Sequence, residues 1–144
     1  MEDFVSYDIA VKLKEKGFKE KCYAYYFPKG SELIFNHNPF SGGIVEDCLY
    51  SNNSLPNECM ASDFVDAPTI SQVLKWLREE KKIFIEIALS PDGYQHIIYT
   101  GLYCMATSRA YHFTFDGFYR IEDNYITYEQ AAIAGIEYVI DNLI

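Results

Sequence analysis

Three histidines, at 37, 96 and 112, and four cysteines, at 22, 48, 59 and 104, are the residues here best suited to metal or nucleophile chemistry. Zinc sites draw such ligands from short, regular spacings, because one turn must aim two of them at one ion. No two cysteines lie two to four residues apart, and no His-Glu-x-x-His helix occurs. His37, Cys48 and Cys59 share one long loop and supply the ligand types for zinc, but their spacing does not select it. Cys104 and His112 fall on adjoining sheet segments, a thiol with a base in reach. A cysteine in a sheet more often serves as a small buried apolar residue, and a strand histidine as a hydrogen-bonded one. Ser41-Gly42-Gly43 lacks the lysine and following helix of a phosphate loop, and no Gly-x-Ser-x-Gly elbow is present. The sequence therefore assigns no catalytic residue, no metal and no cofactor.

A polar pair is more promising. Ile83, Ile85, Ile87 and Leu89 alternate with Phe84, Glu86 and Ala88, the period of a half-buried strand. Ser90-Pro91-Asp92-Gly93 is a turn, and Tyr94 to Leu102 returns. With Asp92-Gly93 as a two-residue loop, Glu86 lies opposite Tyr99, on the face away from the isoleucines. A carboxylate beside a phenol, with Arg120 near, begins a site for a polar ligand. The plainer reading is a solvent-facing cross-strand pair. The 13 tyrosines suit a recognition surface and an ordinary core equally.

Charge narrows the partners. The net charge is −9, with a balance of +1 over residues 1–30, −6 over 31–74, +2 over 75–82 and −6 over 83–144. Phosphate backbones are bound by basic faces, so direct nucleic-acid binding is not expected. Glu46, Asp47 and Glu58 stand in the base-free acidic segment and suit a basic protein partner. The competing reading is that the acidity serves solubility alone. No apolar run reaches the roughly 18 to 20 residues of a membrane span, so no membrane association is expected. Met1-Glu2-Asp3-Phe4 has no basic or apolar leader character, which predicts a cytoplasmic protein with four free thiols.

The elements that hold these residues are legible from capping chemistry. Ser6, Thr69 and Thr127 are N-caps; Gln72 and Gln130 complete capping boxes, and Gly17 ends the first helix. The apolar faces are Ile9, Ala10 and Leu13, then Ile70, Val73, Leu74 and Leu77 with Trp76 alongside. In the last helix they are Ala132, Ile136, Val139, Ile140 and Leu143. Hairpins are expected at Cys22 to Phe27 with Leu33 to Asn36, and at Tyr111 to Phe115 returning through Phe118 to Ile121. At 49% apolar and 23% charged, the 144 residues can build a core. The reading is one α+β domain, 1–144, with an antiparallel sheet, about three helices on one face, and a long loop at 37–60. The lead-ins Phe4-Val5-Ser6-Tyr7-Asp8 and Tyr125-Ile126-Thr127-Tyr128-Glu129 look alike; one reused cap explains this more simply than duplication.

Phe4-Val5-Ser6-Tyr7, Lys12 to Phe18, Ala67-Pro68-Thr69 with Val73 to Glu79, Tyr128 to Ala131, and Ala134-Gly135-Ile136 together resemble a group of short uncharacterised proteins. These recur in gut-bacterial (Bacteroidetes-type) genomes, phages and mobile elements. The shared motifs are caps and packing faces. The resemblance implies a common fold and a cytoplasmic accessory role, and brings no catalytic or ligand residues. The function expected is a non-enzymatic protein-interaction module. The alternative is a small enzyme or small-molecule binder where the meander meets the long loop.

Overall fold

A computed structural model describes residues 3–27, 32–35, 64–100, 103–107, 112–114, 117–119 and 125–144, with backbone alone between 101 and 124. The long loop at 37–60 lies outside the described residues, and with it Glu46, Asp47 and Glu58. Two compact units divide the chain, Met1–Gln72 and Val73–Ile144.

In the first unit, α1 (Tyr7–Glu15) starts where expected: the Ile9 amide donates to Ser6 Oγ at 3.4 Å, and Asp8 sits in the first turn. It stops at Gly17, whose φ of 88° is open to glycine and costly for other residues. Ile9, Ala10 and Leu13 are buried, and α1 packs against β3 (Val65–Ala67). Strands β1 (Ala24–Tyr26) and β2 (Leu33–Phe35) form the expected hairpin, and the sheet order is β2-β1-β3. Strand β3 is a gain over the sequence reading. It pairs antiparallel with β1 and turns Val65 and Ala67 inward. Its chain then bridges back to the N-terminal segment: Val5 N–H donates to Pro68, and Ile70 N–H to Asp3. The Tyr26 hydroxyl donates to the Val5 carbonyl.

Helix α2 (Ile70–Glu80) opens on a reciprocal capping box. Gln72 N–H donates to Thr69 Oγ1 at 3.2 Å, and Thr69 N–H to Gln72 Oε1 at 3.0 Å. Ile70, Val73, Trp76 and Leu77 are buried while Leu74 is half-buried, so the buried stripe leans toward Trp76. The helix closes at Lys82, a non-glycine residue at φ 59°, whose ammonium donates to the Glu79 carbonyl at 2.6 Å.

In the second unit, β4 (Ile83–Ser90), β5 (Gly93–Thr100) and β6 (Tyr103–Thr107) form an antiparallel sheet in that order. A register irregularity falls between Ile98 and Tyr99. β7 (His112–Thr114) and β8 (Gly117–Tyr119) pair separately. Among the described residues the strands thus belong to three sheets, where one had been expected. Helix α3 (Tyr128–Asn142) packs on β4 and β5 through Ala131, Ala132, Gly135, Ile136, Val139 and Ile140, with Leu143 only half-buried. Its cap is offset from a reciprocal box. Gln130 N–H donates to Thr127 Oγ1, but Gln130 Oε1 accepts from Ile126 N–H.

The fold class is α+β, with three helices and antiparallel sheets. The two similar lead-ins perform the same task. Phe4 bridges Thr69, Tyr125 bridges Tyr94, and Tyr7 and Tyr128 each set an edge-on ring contact with a strand tyrosine, Tyr26 and Tyr94.

Candidate functional site

The second unit's hairpin has two unlike faces. Ile83, Ile85 and Ile87 share theirs with His96 and Ile98, under α3. His96 is buried and stacks on the Tyr125 ring at 5.9 Å between centroids. The opposite face carries Phe84, Glu86 and Ala88 from β4, and Gln95, Ile97 and Tyr99 from β5. Phe84 keeps 46% of its surface exposed, and Glu86 is exposed beside it.

The expected pairing of Glu86 opposite Tyr99 is corrected by the register. Glu86 lies opposite Ile97, and Tyr99 opposite Phe84. The loop is Pro91-Asp92, closed by Ser90 and Gly93. Serine, proline and glycine thereby take the first, second and fourth places that a β-turn favours. A slip of two residues preserves which face each side chain occupies, since strand side chains alternate with period two. Glu86 and Tyr99 therefore stay together as diagonal neighbours, and the Tyr99 hydroxyl donates to Glu86 Oε2 at 3.1 Å.

This arrangement can bind. The phenol occupies one lone pair of the carboxylate and orients the rest, and a carboxylate so held accepts charge-assisted hydrogen bonds from lysine or arginine. The exposed face of Phe84 can cover the stem of such a cation or meet its charge. Phe84 and Ile97 were not singled out in the sequence. The signal was present, since Phe84 shares the parity of Glu86, where a solvent-facing strand position normally carries a polar residue.

Cys104 and His112 lie on β6 and β7, which belong to different sheets. His37, Cys48, Cys59 and Arg120 fall outside the described residues. Among the described residues no group of three or more His, Cys, Asp or Glu gathers as a metal site. Cys22 is buried, and its thiol donates to the Glu20 carbonyl at 3.4 Å. Burial first, then the charges of Asp66 and Glu20, push its pKa up, the reverse of an activated nucleophile. No described helix is long and apolar enough to cross a membrane.

No protein-family model matches the chain, and neither a curated protein nor a solved structure matches it.

Proposed function

We propose that this protein acts by binding a basic protein partner on the outer face of β4 and β5, through Phe84, Glu86, Ile97 and Tyr99. The observation that carries this reading is the Tyr99–Glu86 hydrogen bond beside an exposed phenylalanine. Recognition surfaces combine an aromatic anchor with a charge whose geometry is already set. The acidic segment 31–74, with Glu46, Asp47 and Glu58, adds a field that draws a basic partner in and repels nucleic acid. The resemblance to gut-bacterial and phage proteins supports a cytoplasmic accessory role.

The test is a pull-down from source-organism lysate at low and moderate salt, with wild type beside Glu86→Gln and Phe84→Ser. Basic proteins recovered by wild type, and lost in either variant or at the higher salt, support the reading. Identical recovery by all three proteins at both salts rules it out. Stabilisation by a small metabolite in a thermal-shift panel, with no protein recovered, moves the assignment to a small-molecule binder.

A further inference from the structure

We propose that two copies of this chain pair antiparallel through the outer edge of β4, in a register centred on Ile87. This goes beyond the binding face described above and does not rest on it. β4 is the terminal strand of its sheet, eight residues long, and its outer edge has no backbone partner among the described residues.

The phase of the ladder decides which groups that edge presents. Ser90 and Gly93 close a two-residue loop, so they exchange hydrogen bonds, as do Ala88 with Gln95, Glu86 with Ile97 and Phe84 with Tyr99. An independent observation fixes the same phase. Tyr94 turns its N–H and C=O away from β4, to Tyr125, at 2.8 and 2.9 Å. The backbone groups of Ile83, Ile85, Ile87 and Leu89 therefore point outward.

Edges of this length are normally protected by lysine, proline or a bulge within the strand. Ile83–Ser90 contains no lysine and no proline, and the register irregularity of this sheet lies between β5 and β6. Its one charge is Glu86.

A two-fold axis normal to the sheet keeps each face on its own side, so residues of like parity must meet. Two such registers overlap all but one residue of β4. Centring on Glu86 sets two carboxylates directly opposite each other, which is unfavourable. Centring on Ile87 pairs Ile87 with itself, Ile85 with Leu89 and Glu86 with Ala88, and the outward backbone groups of the first two pairs meet. Leu89, 73% exposed in the single chain, gains an apolar neighbour. Tyr99 draws Glu86 toward β5, away from the second copy. The ends are complementary as well: the Lys81-Lys82 end of one strand approaches the Asp92 end of the other.

The test uses the full chain. Sedimentation velocity over a micromolar concentration series should show a dimer. Leu89→Lys, at an exposed position, should weaken it at least tenfold, with unchanged far-ultraviolet circular dichroism. Mild oxidation of Ile87→Cys should link two chains, and Glu86→Cys should link them far less. Three results overturn the proposal: a wild type monomeric throughout, a dimer indifferent to Leu89→Lys, or preferential linking through Glu86→Cys. A persistent monomer would leave the edge to an extended segment of another protein.

Discussion

Gly135 of α3 faces His96 of β5 so closely that a methyl group there would require its neighbours to shift by a few tenths of an ångström. A Cβ on Gly135 would lie 3.2 Å from His96 Cγ and 3.0 Å from Ile85 Cγ2. Helix and sheet approach this closely because the helix residue at the crossing has no side chain. Alanine in a helix is worth about 1 kcal/mol over glycine, whereas overpacking a core costs about 1–3 kcal/mol. Gly135→Ala should lower stability by about 1 kcal/mol in urea denaturation. A stabilised variant would mean that Ile85 and His96 yield easily.

The two threonine caps should differ. Thr69 is buried in a reciprocal box, and Thr127 is exposed with an offset partner. Thr69→Ala should cost about 1–2 kcal/mol and Thr127→Ala about 0.5–1 kcal/mol. Equal losses in parallel denaturation curves would contradict the buried environment of Thr69.

Lys82 holds a left-handed backbone that costs an L-residue about 1–2 kcal/mol. Lys82→Gly removes that cost. It also loses the hydrogen bond to Glu79 and adds freedom to the unfolded chain, effects of about 0.4–1 kcal/mol each. The opposing effects nearly cancel, so the expected change in urea denaturation lies within about 0.5 kcal/mol of zero. A larger measured loss would show that the lysine's cap on α2 outweighs its strain.

Helix starts were legible because capping is local: Ser6, Thr69 and Thr127 act within three residues of themselves, whatever the tertiary surroundings. Strand β3 was not, because three residues cannot display a period and Val65–Ala67 is ordered by pairing with distant β1. The hairpin register was ambiguous in Pro91-Asp92-Gly93, where Pro-Asp and Asp-Gly both make two-residue loops. Yet Glu86 and Tyr99 were still found on one face, because the two readings differ by an even number of residues. Phe84 was missed as a site residue because its alternation with isoleucine reads as ordinary strand.

Alkaline pH should destabilise the fold. Burial raises the pKa of Cys22 and of Tyr26 above their usual values, so the folded chain holds both protons where the unfolded chain releases them. An unfolded thiol ionises near about 8.5 and a tyrosine near about 10. Below that range both states are protonated and the two groups leave stability independent of pH; above it stability falls as pH rises. Cys22→Ala should flatten the decline that begins near about pH 8.5. An unchanged slope in that variant, measured by denaturant titration from neutral to alkaline pH, would remove Cys22 from the account.

The proposed contact between the outer face of β4 and β5 and a basic protein is tested most directly by photo-crosslinking at that face. A photoreactive residue placed at Phe84 should capture basic proteins from source-organism lysate. The same residue at Glu137, exposed on α3, should capture none of them. Capture at Phe84 should be lost on adding Glu86→Lys, since a like charge then meets the partner, and should weaken as salt screens the attraction. Equal capture from both positions, or capture at Phe84 indifferent to Glu86→Lys, would show that this face does not bind a basic protein.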